Sequence, residues 1–149
     1  MNEAGQEFSG FRLLIEAAMV VLILVIIFSI LSHLDNIRRD VSEKRLYEGF
    51  EKAAAAPDGS VIFEKGLVLG EGKGYSTRAF AKRVTDIEAE CIEIRAGKSS
   101  AFSLEESSRI MVNSQVTADV YYKCNRTYDG ADCPVLCTIS FGEDLTGAE

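Results

Sequence analysis

The apolar and polar positions of this chain follow three different periods. From Gly10 to Leu31 the sequence reads GFRLLIEAAMVVLILVIIFSIL, and from Ala17 to Ser32 it contains no ionisable residue. With Glu16 and His33 tolerated near the ends, the apolar run covers 22 positions, Leu13 to Leu34. At about 1.5 Å per residue in a helix, that length matches the hydrocarbon core of a bilayer. Beyond it, Leu34, Ile37, Val41, Tyr47, Phe50 and Ala54 continue an apolar stripe at helical spacing. No Pro or Gly interrupts Phe11 to Tyr47, Gly49 weakens the helix only locally, and Pro57, Asp58 and Gly59 supply a stop. The pattern predicts one helix over residues 11–55, a membrane span running into an amphipathic stalk.

After residue 56 the period changes to two. In QVTADVYYKC the residues Val116, Ala118, Val120, Tyr122 and Cys124 alternate with Thr117, Asp119, Tyr121 and Lys123, and in CPVLCTISFG the residues Cys133, Val135, Cys137, Ile139 and Phe141 fall on one face with Leu136, Thr138 and Ser140 on the other. Between them lies Asp129-Gly130, a turn signal, so the two runs predict an antiparallel hairpin. Opposed residues must share a face, and setting Cys124 against Cys133 makes every inward residue meet an inward one. That register predicts a Cys124–Cys133 disulfide and leaves Cys91, in TDIEAECIEI, to Cys137. Four cysteines allow three connectivities, and the other two remain open. Further strands are predicted at SVIFEKGLVL from Ser60, at Thr85 to Ile94 and at Ser108 to Val112, with a short helix between Ser76 and Val84.

The architecture expected is therefore α+β. It comprises a polar leader (1–10), a transmembrane helix and stalk (11–55), a small antiparallel, sandwich-like β domain (56–142) and a frayed acidic tail (143–149).

Composition narrows the function. Residues up to Ala55 carry 6 basic and 8 acidic groups and the remainder 10 and 15, so neither part has the basic excess of a nucleic-acid binder. There is no Trp, only one His, and no recognisable spacing of nucleophile and base. The reading is of a non-enzymatic protein without cofactor or metal. GEGKGYST fails as a phosphate loop, because Leu67 and Gly74 occupy positions that need Gly and Ser or Thr. Its glycines are read as a flexible turn. Glu88, Glu90 and Glu93 read as a solvated strand face, and His33 as an interfacial polar residue. A metal site from Cys124, Cys133 and Cys137 lacks the paired knuckles of structural zinc. The cysteines fit disulfides in a small domain outside the cytosol, and Asn125-Arg126-Thr127 fits a glycosylation acceptor. Against this, Arg38, Arg39, Lys44 and Arg45 follow the span and only Arg12 precedes it, so the positive-inside rule places the domain in the cytosol. The leader MNEAGQEFSG is acidic and no small-residue cleavage site follows Leu31, as expected of an uncleaved signal anchor.

Glu16 is the unusual residue of the span. Close to the membrane edge, it can pair with Arg12 one turn earlier. The order of a polar leader, Gly10-Phe11, Leu14-Ile15-Glu16, an unbroken apolar helix, a stalk and a β-rich head resembles the type IV pilin and archaeal pilin-like family. That resemblance implies processing after Gly10, a new amino terminus at Phe11, and Glu16 as the acid that pairs with a neighbour's terminus during assembly. Glu16 falls sixth after the implied cut where the family places it fifth, and no basic residue precedes Gly10. The expected partners are the lipid bilayer and further copies or related subunits bound through the helix, with no nucleic acid. The alternatives are a membrane-tethered binding or sensory module using Gly70 to Tyr75, and a thiol-based metal or redox protein.

Overall fold

The structure is a computed structural model describing residues 4–126 and 132–146, with backbone alone for 4–9. It divides into two compact units, Met1–Ile37 and Arg38–Glu149. Helix α1 (Ala4–Ala55) supplies all the described structure of the first and opens the second. It begins inside the leader rather than at Phe11. Nothing from Ala4 to Gly10 opposes a helix strongly enough, since the segment has no Pro and its two glycines cost only about 1 kcal/mol each. In the first unit every side chain from Gly10 to Ile37 is exposed. The apolar window has a mean hydropathy of 3.0, so the helix is long and apolar enough to cross a membrane.

The second unit is built from seven strands, a short helix and the last turns of α1. The strands are β1 (Val61–Leu69), β2 (Gly74–Ser76), β3 (Ile92–Ala96), β4 (Phe102–Glu105), β5 (Arg109–Val112), β6 (Val116–Arg126) and β7 (Val135–Phe141). Helix α2 (Thr77–Ala81) falls where a short helix was expected, and β2 and β4 are additions to the expected set. One sheet has the order β1-β6-β7-β3 and the other β2-β5-β4. All pairings are antiparallel except β3 with β7, which run parallel. The expected strand at Thr85 to Ile94 is corrected: a 3₁₀ turn at Ala89–Cys91 precedes β3, so only its end, from Ile92, belongs to a strand.

Both sheets, α2 and α1 contribute to one core. Phe141 of β7 packs on Tyr75 of β2 and Phe102 of β4, at ring-centroid distances of 6.1 and 5.8 Å. Phe80 of α2 meets Phe50 of α1 edge-on at 5.4 Å.

The buried stripe of α1 is Ser42, Leu46, Gly49, Phe50 and Ala53. Of the apolar positions expected to form it, Phe50 is buried, Tyr47 and Ala54 are half-buried, and Leu34, Ile37 and Val41 are exposed. The true stripe was hidden because two of its members are not apolar side chains. Ser42 Oγ accepts a 2.9 Å hydrogen bond from the backbone N–H of Val68, on the edge strand β1. Such groups on an edge strand would otherwise be open to pairing with another chain. Gly49 lets the helix backbone approach Tyr122 so closely that a Cβ there would lie 2.7 Å from Tyr122 Cε2. The Tyr122 hydroxyl donates to the Leu46 carbonyl at 2.7 Å.

Strand β1 departs from simple alternation. Glu64 pairs with Val120 and Leu67 with Ala118, so three steps on β1 oppose two on β6. The bulge falls at Lys65-Gly66, with Gly66 at φ +67° and its N–H donating to Asp119 Oδ1 at 2.8 Å. It moves the inward set from Ile62 and Glu64 to Leu67 and Leu69.

The β6–β7 hairpin forms, with a different register. Cys124 lies opposite Cys137, Tyr122 opposite Ile139 and Val120 opposite Phe141. The disulfides are Cys124–Cys137 and Cys91–Cys133, with Cα separations of 4.1 and 5.4 Å, which corrects the expected Cys124–Cys133 and Cys91–Cys137 pairs. The shift between the two registers is even, so it keeps every inward residue inward, and alternation by itself cannot distinguish them. The parallel strand β3 decides the other bridge: it sets Ile92 opposite Cys137, leaving Cys91, one residue earlier, to bond Cys133. The Asp129-Gly130 turn lies outside the described residues.

The acidic tail is ordered at its start. Ser140 Oγ donates to the Glu143 carbonyl at 2.7 Å, Asp144 accepts from both the N–H and the hydroxyl of Thr146, and Leu145 is buried.

Candidate functional site

In the first unit the residues singled out for assembly occupy consecutive turns of α1. Gly10 and Phe11 are helical and exposed, and no atom lies within 4 Å of where a Gly10 Cβ would be. Arg12 Nε donates to Glu16 Oε1 at 3.2 Å, an i,i+4 pair with both side chains open to the surroundings. Glu16 therefore has an intrachain partner, one that an exposed geometry leaves easy to exchange. His33 is exposed.

Of the basic residues that follow the apolar run, Arg39, Lys44 and Arg45 are engaged by the second unit or by the stalk itself. Arg45 places Nη2 2.7 Å and Nε 3.1 Å from Glu64 Oε2, and Lys52 reaches Oε1 of the same carboxylate at 3.3 Å. Two cations seven positions apart on one helix face thus grip a carboxylate whose side chain is only 12% exposed. Arg45 also donates to the carbonyl of Lys65, within the bulge. Arg39 donates to Gln115 at 2.6 Å, and Lys44 pairs with Glu48.

Gly70 to Tyr75 is not the flexible turn expected. Gly72 N donates to the Val112 carbonyl and Val112 N to the Lys73 carbonyl, while Lys73 Nζ pairs with Glu43 at 3.4 Å. Gly74 begins β2 beneath Met111 and Arg109, where an added Cβ would lie 2.6 Å from Met111 Sδ. Tyr75 is buried, and its phenol pKa is raised by that burial and then by Glu43. The positive φ of Gly72, +75°, is the one conformational demand in the loop.

Glu88 and Glu90 are exposed, and Glu93 forms a two-pronged pair with Arg95. An open cleft of about 790 Å³ borders Glu90 and Glu93, with Arg78, Arg109 and Glu106 also on its walls. Among the described residues no three His, Cys, Asp or Glu side chains are grouped to hold a metal ion. All four cysteines are in disulfides, which removes the ligands and the reactive thiols that a metal or redox role would use.

Asn125 is exposed near the end of β6, opposite Leu136. Thr127 lies outside the described residues. No protein-family model, curated protein or solved structure matches this chain.

Ser42, Glu64, Gly49 and Tyr122, which join helix to sheet, gave little signal in the sequence. A lone Ser on the apolar side of a helical run, followed by a Gly further along it, is the trace they leave.

Proposed function

We propose that this protein is a single-pass, membrane-anchored, non-catalytic structural subunit of the pilin-like kind. Its β-rich domain lies outside the membrane, and it assembles with copies or relatives through its N-terminal helix. The observation that carries the reading is the helix segment Gly10–Ile37, wholly exposed and apolar enough to span a bilayer. Such a surface is stable only in lipid or against other apolar helices. Glu16 within it supplies a carboxylate whose present partner is an exposed arginine. In an assembly the carboxylate exchanges Arg12 for the new amino terminus at Phe11, after cleavage following Gly10.

Two disulfides support an oxidising location for the domain. The opposing argument from Arg38, Arg39, Lys44 and Arg45 loses weight, because Arg45 and Arg39 are needed to hold Glu64 and Gln115. The presence of those two arginines has a structural cause independent of topology. The binding-module alternative has no comparable support, since Gly70 to Tyr75 is fixed into the second sheet.

The test is the intact mass of the protein extracted from its native membrane, with and without reduction, followed by cross-linking of wild type and Glu16→Gln in the membrane. The proposal expects loss of Met1 to Gly10, a gain of four hydrogens on reduction, and cross-linked multimers that fall several-fold in the variant. A full-length chain with four free thiols, or multimers indifferent to Glu16, refutes it.

A further inference from the structure

The cleft of about 790 Å³ is walled by β2, α2, the 3₁₀ turn before β3 and the turn between β4 and β5. That last turn stitches the walls together. Its Ser107 carbonyl accepts from the Ile94 N–H of β3 at 2.9 Å, and its Ser108 carbonyl from the Thr77 N–H of α2 at 2.8 Å. Glu106 and Ser107 stand at φ 50° and 55°, a conformation that residues with side chains rarely adopt. Such strain persists only where the surroundings impose it, and it gathers at ligand sites. The walls are therefore preformed, as in most ligand clefts.

Several groups on these walls lack the partner that their burial or charge calls for. Thr77 is only 5% exposed, and among the described residues its hydroxyl has no hydrogen-bond partner. No fully buried side-chain oxygen is left unsatisfied among those residues, so this hydroxyl opens onto the cleft that Thr77 lines. Ile92 contributes backbone. Gly97 N–H donates to Phe141 of β7, whereas Ile94 N–H turns away to Ser107, so alternate residues of this parallel edge strand face β7 and the open side. Ile92 belongs with Ile94: its N–H is taken by the Ala89 carbonyl, and its own carbonyl faces the open side. The charges come in opposite pairs, Arg78 and Arg109 against Glu90 and Glu106. Arg78, Glu90 and Glu106 are in no ion pair among the described residues, and Arg109 meets only the exposed Glu105, at 4.0 Å. Gly74 leaves room for Arg109 to lie across β2, with Nη2 2.9 Å from where a Cβ would be. Glu93 is committed to Arg95.

Fixed charges of both signs, unpaired with one another on one cleft, suit neither a simple anion nor a simple cation, since each meets as much repulsion as attraction. No aromatic ring lines the walls to stack on a base or a sugar. We propose that the cleft binds a short zwitterionic peptide in extended form. Its carboxylate meets Arg78 and Arg109, its ammonium group meets Glu90 and Glu106, and its backbone N–H groups donate to the Ile92 carbonyl and the Thr77 hydroxyl. This goes beyond the structural role proposed above and does not depend on it, because every wall belongs to the β domain.

The experiment is calorimetric titration of the full chain in detergent with tetraglycine, its N-acetyl form and its C-terminal amide, using wild type, Thr77→Val, Arg78→Gln and Glu106→Gln. Tetraglycine carries both charges, the acetylated peptide only the carboxylate and the amide only the ammonium group. The expected result is saturable binding of tetraglycine to wild type, weakened several-fold by blocking either end and several-fold in Thr77→Val. Arg78→Gln should reduce the advantage of tetraglycine over its amide, and Glu106→Gln its advantage over the acetylated form. Absence of tetraglycine binding to wild type overturns the site. Equal binding of either blocked peptide overturns the zwitterionic ligand, and this arm needs no variant. Unchanged binding in all three variants, each with the Tm of wild type, overturns the placement in this cleft.

Discussion

Replacing Gly49 with alanine adds one methyl group to α1 at the point where the helix lies nearest the sheet. In an isolated helix the change is favourable by about 1 kcal/mol, because glycine loses more backbone freedom on folding. In this protein the new carbon would stand 2.7 Å from Tyr122 Cε2, 3.0 Å from its Cζ and 2.9 Å from Glu64 Cγ. None of these neighbours can move cheaply. Tyr122 is fully buried and tied to the Leu46 carbonyl, and Glu64 is gripped by Arg45 and Lys52. Overpacking of this kind costs about 1–3 kcal/mol, and displacing the Tyr122 hydrogen bond adds about 1 kcal/mol. Set against the helix gain, Gly49→Ala should destabilise the domain by about 1–3 kcal/mol. For a unit of this size that lowers Tm by about 4 °C per kcal/mol. The assay is thermal unfolding of the full chain in detergent, followed by near-ultraviolet circular dichroism of the tyrosines. A Gly49→Ala protein as stable as wild type, or more so, would refute the close helix–sheet packing.

The remaining predictions concern other contacts of the same domain. Proteolysis without reduction should yield the peptide pairs Cys91–Cys133 and Cys124–Cys137, and a Cys124–Cys133 pair would contradict the register. On the chain-entropy model, removing the bridge across 42 residues should cost about 4 kcal/mol and the one across 13 about 3 kcal/mol, an order that denaturant titration can check. Ser42→Ala should lower stability by about 1–2 kcal/mol in the same titration, because it leaves the Val68 N–H beside the helix without its acceptor. Burial raises the phenol pKa of Tyr75 and Tyr122 above 10.0, so the folded state keeps protons that the unfolded state releases. Stability should therefore be intact below about pH 10 and fall as pH rises further. Urea midpoints across this range, with Tyr122→Phe showing a shallower fall, would check it, and a midpoint indifferent to alkaline pH would refute it.

Several elements were legible in the sequence to different depths. The hairpin strands could be read because their alternation survives folding: Ala118, Val120, Tyr122 and Cys124 are all buried, as the period of two requires. Strand β1 was visible as an extended run, but its inward face was not, because the Gly66 bulge reverses the alternation midway. Strand β4 was missed: FSLE buries only Phe102, so a four-residue strand carries almost no periodic signal. At the N-terminal site, the Arg12–Glu16 pair follows from helical spacing and was foreseeable. The grip of Arg45 and Lys52 on Glu64 joins residues 12 to 19 positions apart and has no local signature.

What the sequence determined by itself is what depends on neighbours within one or two turns. It specifies an apolar helix long enough for a bilayer, its continuation into a stalk, an antiparallel hairpin and a cysteine set placed for two disulfides. The tertiary structure decided which stripe of α1 faces the sheet, the pairing of β3 with β7, the hairpin register and hence which cysteines meet. Periodicity fixes a face but is unchanged by an even slip of register, and it says nothing about which distant strand closes beside another. Those choices are made only when the whole core is packed at once: Gly49 against Tyr122, Ser42 against the edge of β1, and Cys91 brought to Cys133 by a strand that runs parallel.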